Sequence, residues 1–250
     1  MVNSYFKIKK NIKKEFNIPH KPVNNKKYSN SPSNKYKKID INFDGGMKVS
    51  GVMNLKNKRI FGKLYDEYES EEYQGQLQPE TYKKVGLGII TKDYQNGNGE
   101  KYIYIGNFEN DKLNQNGFFC INSSSDNIFY IGNFIDDTRS GFAVSFKPEG
   151  NDVIWYIGNF EDNQKNGFGI VKNKNTFHAG LWKDDRLVER IDKDKFLFSY
   201  REDFLNEITK IQLEFQDKYD MIEKLPEKIR LLLNDGKNNL QKIMYDFLVI

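Results

Sequence analysis

Residues able to do chemistry are few in this 250-residue chain, and they are scattered. It holds two histidines, His20 and His178, and one cysteine, Cys120. A metal site needs three or four His, Cys or carboxylate ligands gathered at short spacing, and the sequence offers no such grouping. A nucleophilic thiol needs an exposed, activated cysteine. Cys120 instead stands beside Phe118, Phe119 and Ile121, an apolar strand-like setting in which a thiol serves as a small core residue. Gly86-Leu-Gly88 begins like a phosphate loop, but the fuller glycine fingerprint and a following helix are missing. Asp136-Asp137 and Asp184-Asp185 fall in expected turns, where acids are ordinary. The expectation is a protein that is not an enzyme and uses no cofactor or metal.

The other concentration of reactive groups is basic. Residues 1–38 carry eleven lysines against Glu15 alone, about +10, so the net +4 of the chain leaves the remaining residues near −6. The pairs Lys9-Lys10, Lys13-Lys14, Lys26-Lys27 and Lys37-Lys38 are the candidate contacts for an acidic partner. Pro19, Pro22 and Pro32 argue against a long helix, so the reading is an extended basic arm over 1–38. It has no aromatic stacking platform or recognition helix, and nucleic acid is not expected as a partner. No stretch approaches the ~18–20 apolar residues of a membrane-spanning helix, and the start of the chain lacks a secretory signal. One cysteine excludes a disulfide framework and suggests a reducing compartment.

Charged groups make up 30% and Phe and Tyr number 19 and 15, so small aromatic clusters rather than one aliphatic core must hold the body together. From about residue 39 short β-type runs follow one another, with turns at Gly45-Gly46 and 56–59 and an acidic linker at 65–72. Then the pattern repeats. Tyr73-Gln-Gly75 is followed by Tyr104-Ile-Gly106-Asn-Phe108, Tyr130-Ile-Gly132-Asn-Phe134 and Tyr156-Ile-Gly158-Asn-Phe160. Each has a second glycine, at Gly86, Gly117, Gly141 and Gly167, and Gly88 and Gly169 complete Gly-x-Gly in the first and last. Successive tyrosines lie 31, 26 and 26 residues apart, and Phe177-His-Ala-Gly180-Leu-Trp182 reads as a truncated fifth unit. Such periodicity means an array. As a strand, the pentapeptide puts tyrosine, glycine and phenylalanine on one face, where rings lie over bare backbone. Asn116-Gly117, Ser140-Gly141 and Asn166-Gly167 read as hairpin turns.

The Tyr-x-Gly-x-Phe/Trp and Gly-x-Gly units from Tyr73 to about Leu187 resemble MORN repeats. The resemblance implies an elongated, single-layer antiparallel sheet of stacked β-hairpins, here over 39–195. After it, Ser199-Tyr-Arg-Glu202 reads as a capping box opening a helix to Tyr219, Pro226 as the start of a second helix ended by Asp235-Gly236, and Leu240 to Leu248 as a third apolar stripe. The helical segment is 196–250. The resemblance further implies a scaffold in a ciliary (axonemal, radial-spoke-like) or cytoskeletal assembly, whose partners are other subunits, with tubulin a candidate for the arm to meet. The alternatives are a membrane-surface scaffold holding acidic phospholipid, and an accessory subunit of a mitochondrial complex.

Overall fold

The computed structural model describes residues 35–93, 100–122, 127–174, 176–220 and 227–249. Among them, thirteen strands form one antiparallel sheet in which each strand pairs with its sequence neighbours. The strands are β1 (Tyr36–Asn42), β2 (Met47–Asn54), β3 (Ile60–Asp66), β4 (Glu71–Leu77), β5 (Lys84–Asp93), β6 (Lys101–Glu109) and β7 (Lys112–Asn122). They continue through β8 (Asn127–Ile135), β9 (Thr138–Glu149), β10 (Asp152–Glu161), β11 (Gln164–Asn173), β12 (Thr176–Lys183) and β13 (Arg186–Ile191). Helices α1 (Lys193–Asp220) and α2 (Glu227–Val249) follow. The mainly β, open antiparallel architecture with a helical C-terminal segment is the one expected from the repeat.

One line organises the sheet. Gly51, Gly62, Gly75, Gly88, Gly106, Gly117, Gly132, Ala143, Gly158, Gly169 and Gly180 are successive cross-strand partners from β2 to β12. A row of ten glycines and one alanine thus crosses eleven strands. Side chains two residues away in each strand share one face, the aromatic face, and their neighbours point to the other, the helix face. Both faces have buried cores. From β6 to β12 the helix face is packed by α1 and α2. Ile103, Ile105, Phe118, Phe129, Ile131 and Trp155 meet Phe204, Ile208, Ile211, Phe215, Leu233 and Phe247 in one cluster.

Several expectations are corrected. The hairpin turns are Asn110-Asp111, Asp136-Asp137, Asp162-Asn163 and Asp184-Asp185, every residue having φ between 47° and 71°. Both central residues of this tight turn must be left-handed, which Asn and Asp tolerate. The Asn-Gly and Ser-Gly pairs lie inside β7, β9 and β11 instead, where Gly141 (φ 73°) and Gly167 (φ 95°) form bulges. The segment 65–72 is no linker, since β3 and β4 pair through Asp66↔Glu71 across a tight turn. β1 begins at Tyr36, so Lys37 and Lys38 belong to the edge strand of the sheet rather than to an arm. Such charges, like Arg186, Glu189 and Arg190 in β13, discourage pairing at the two sheet edges.

The helices also differ from expectation. α1 starts six residues before Ser199, because Asp192 Oδ1 accepts the backbone N–H groups of Asp194 (3.0 Å) and Lys195 (3.1 Å) as its cap. Pro226 lies outside the described residues. The second and third expected helices are one, and Asp235-Gly236 is inside it. Gly236 is there because α2 presses on the sheet: a Cβ at this position would stand 2.7 Å from Phe118 Cε2 and 3.2 Å from its Cζ. In an exposed helix Gly→Ala gains about 1 kcal/mol, whereas overpacking a core costs about 1–3 kcal/mol. Gly236→Ala is therefore expected to lower the denaturant midpoint. A higher midpoint would show that α2 docks loosely.

Candidate partner-binding faces

On the aromatic face each tyrosine ring lies over the glycine row. A Cβ on Gly117 would approach Tyr104 Cε2 to 2.5 Å, and one on Gly169 would approach Tyr156 Cε2 equally closely. The hydroxyl reaches past the row to a carbonyl three residues on: Tyr73 to Gln76 (2.7 Å), Tyr104 to Asn107 (3.2 Å), Tyr130 to Asn133 (2.8 Å) and Tyr156 to Asn159 (2.9 Å). These carbonyls lie where the strand register shifts, so the phenol serves an acceptor displaced by the bulge. The rings continue as a chain of edge-to-face contacts: Tyr73–Phe108, Phe108–Tyr104, Tyr104–Phe134, Phe134–Tyr130, Tyr130–Phe160, Phe160–Tyr156 and Tyr156–Trp182. Centroids are 5.0–5.6 Å apart. Each such contact contributes about 0.5–1.5 kcal/mol beyond area burial.

A clasp at the turns fixes one hairpin to the last. Asp111 accepts the N–H of Lys84 (2.7 Å) and donates its own N–H to the Lys84 carbonyl (3.1 Å). Asp137 holds Leu113 in this way, Asn163 holds Arg139 and Asp185 holds Lys165, with side-chain bonds of 2.7–2.9 Å. The second turn residue, ordinary in the sequence, thus closes each repeat onto the one before. The clasped residues fill the seam. Arg139 Cζ stands 5.0 Å from the Phe160 centroid and 5.5 Å from that of Tyr130, and Lys165 Nζ lies 5.2 Å from Tyr156 and 5.1 Å from Trp182.

Burial governs the electrostatics here. It raises all four phenols above a phenol's ordinary range, with Asp111, Asp137 and Asp185 adding repulsion at Tyr73, Tyr104 and Tyr156. Arg139, 3% exposed, is pulled down to about 10 by burial, which Tyr130 and Asp185 partly oppose. Burial likewise lowers Lys165, against the pull of Asp185. Cys120 is fully buried on the helix face, and burial, then Asp235, pushes its thiol upward, so it stays protonated.

Most repeat residues come together as the sequence suggested, with four exceptions. Gly86 (φ 60°), Gly141 and Gly167 are bulge residues off the row, so Gly117 is equivalent to Gly88 and Gly169; Gln115 (φ 61°) takes the bulge in that unit. Phe177 does not belong to the aromatic face. His178, two residues before Gly180, takes the tyrosine place, and Phe177 packs on Trp155 at 6.1 Å on the helix face. Lys9, Lys10, Lys13, Lys14, Lys26, Lys27 and His20 lie outside the described residues. Among the described residues there is no group of three or more His, Cys, Asp or Glu placed to hold a metal, and no helix is long and apolar enough to cross a membrane.

The helix face is only partly covered. Over β2–β5, Val52 is 45% and Phe61 54% exposed, and Leu87 and Ile89 are half-buried. Phe61, Lys63, Gln74, Leu87, Ile89 and Ile105 line a trough of about 340 Å³ floored by Gly62, Gly75 and Gly88. This surface, which no sequence motif announced, is the candidate site for a partner.

Comparison with models of known protein families gives no match, and comparison with curated protein sequences gives none either.

Two measurements test the seam. Gly169→Ala forces a Cβ into the Tyr156 ring and is expected to cost about 1–3 kcal/mol by overpacking. Gly150→Asn, at a turn with φ 62° and nothing within 4 Å, should change stability by less than about 0.5 kcal/mol. Equal losses in chemical denaturation would refute the ring-on-glycine contact. Alkaline titration tests the phenols. Their folded pKa values lie above the unfolded 10.0, so their contribution is intact below pH 10 and is lost as pH rises further. Arg139 and Lys165, both depressed, work in the opposite sense. The four phenols outnumber the two bases, so stability declines as pH rises above 10. The tyrosinate absorbance of these four should then appear together with unfolding, and independent titration near pH 10 in a folded chain would contradict the burial.

Proposed function

We propose that the chain is a non-catalytic scaffold subunit that joins other proteins within a ciliary (axonemal) or other cytoskeletal assembly. The observation that carries this reading is the uncovered apolar stretch of the helix face over β2–β5, built on a sheet whose polar groups serve architecture. Asp137 and Asp185, the acids that a search for catalysis would pick first, hold backbone of the preceding hairpin. The aromatic–glycine units support membership of the MORN-repeat class, in which scaffolding is the common role. The lysines of residues 1–34 provide long-range attraction to an acidic partner, for which tubulin is the leading candidate.

A membrane-surface scaffold is the second reading, favoured by the same lysines, each of which contributes about 1 kcal/mol near anionic lipid. The test is sedimentation of the full chain, and of a chain lacking residues 1–34, with microtubules and separately with phosphatidylserine-containing vesicles across a salt series. Pelleting with microtubules that needs residues 1–34 and weakens as salt rises is the expected result. Pelleting only with vesicles would establish the membrane reading instead. Pelleting with neither would remove the acidic-partner role of the lysines.

A further inference from the structure

The trough on the helix face continues a seat already occupied elsewhere in the molecule. β3, β5, β7, β9 and β11 run in the same direction, and in each the residue before the row position faces the helices. These residues are Phe61, Leu87, Asn116, Phe142 and Phe168. α1 takes three of the five positions. Tyr200 stacks on Phe168 at 5.0 Å, Phe204 meets Phe142 edge-on at 5.0 Å, and Asn116 Nδ2 donates to Glu214. Each step in this file crosses two strands, about 10 Å. From Tyr200 to Glu214 is fourteen residues, roughly 21 Å of helix, which matches the two steps from Phe168 to Asn116. Leu87 and Phe61 are the next two positions, of which Leu87 is half-buried and Phe61 54% exposed.

We propose that the trough over Gly62, Gly75 and Gly88 binds an amphipathic α-helix of a partner protein, which extends the line of α1 across β5 and β3. The file spacing sets the pattern of that helix. Leu87 and Phe61 are one step apart, so it presents apolar side chains seven residues apart, two helical turns. Charge sets a further feature. Lys63 lines the trough in an ion pair with Glu72, and Lys48 stands on the same face beside Tyr65, so the partner helix carries acidic residues on the flank that meets Lys48. This inference rests on the scaffold reading, whose own test is the sedimentation above.

The probe is a synthetic peptide of residues 193–220, the α1 sequence, labelled with fluorescein. It has Phe204/Ile211 and Ile208/Phe215 at the required interval and seven side-chain carboxylates. Anisotropy titration against the full-length chain is expected to show saturable binding, weakened tenfold or more by Phe61→Glu and by Leu87→Glu. Phe61 is mostly exposed, and circular dichroism would verify that each variant is folded. No binding, or binding that both variants leave unchanged, would overturn the proposal while leaving a positive microtubule result intact. Tighter peptide binding by a chain lacking residues 1–34 would assign the trough to the protein's own N-terminal segment. A dimer in sedimentation equilibrium that Phe61→Glu dissolves would assign it to a second copy, and either result also overturns the proposal.

Discussion

The contact between a tyrosine ring and two facing glycines is the constraint from which the other features follow. The ring of Tyr104 lies flat enough on the sheet to touch the backbone at Gly106 and Gly117, and Tyr73 and Tyr156 do the same at their own pairs. A methyl group at either glycine would lift the ring away. Lying flat, the phenol can reach a carbonyl displaced by the bulge, and its edge meets the phenylalanine of the next hairpin. Removing water from so much ring surface also explains why Arg139 and Lys165 can stand in the seam as cations over π faces, at the cost of part of their basicity.

The two faces solve the burial problem in different ways. On the aromatic face each hairpin supplies both the ring and the bare backbone it covers, so the seam closes on itself. On the helix face the aliphatic and aromatic residues of β6–β12 have no such partner and depend on α1 and α2. Specific polar ties hold the helices in place. Lys172 bonds both Asp152 (3.1 Å) and Asp246 (2.8 Å), and Lys242 donates to the Asn151 carbonyl (2.6 Å), which anchors α2 at the β9–β10 turn. Where the helices stop, the same face changes to Phe61, Lys63, Gln74 and Leu87, a mixture of apolar and polar groups suited to a surface that meets both water and a partner.

The array and its aromatic face were legible in the sequence because tyrosine, glycine and phenylalanine at alternate positions leave few geometries open. The phase of the second glycine was not. Gly86 and Gly117 are each 13 residues from their tyrosine, yet one is a bulge and the other a row member, since the first unit has a longer connection between β4 and β5. Asp136-Asp137 and Asp184-Asp185 were legible as turns, but the Asn-Gly and Ser-Gly pairs were misplaced as turns for a related reason: Asn-Gly is the stronger local signal, yet Asp-Asp, Asn-Asp and Asp-Asn win because the clasp adds two hydrogen bonds from a neighbouring hairpin. Gly236 and the Phe177/His178 exchange depend on which atoms lie across a gap of tertiary structure, and nothing within a few residues records that. The surface at Leu87 and Phe61 had no signature at all, because it is defined by where α1 ends.

The clasp makes the array a ruler. From β6/β7 to β12/β13 each hairpin is indexed to its predecessor by the same pair of bonds at the same rim, so every such unit advances the sheet by a fixed division of about 10 Å. At the opposite rim the Asp93 N–H meets the Ser70 carbonyl and Lys92 meets Glu69, without the paired aspartate clasp, and connections there can lengthen without disturbing the count. The distance between two attachment points on such a protein is therefore written in whole repeats. A change of span requires gain or loss of an entire hairpin, and intermediate lengths are not accessible to it.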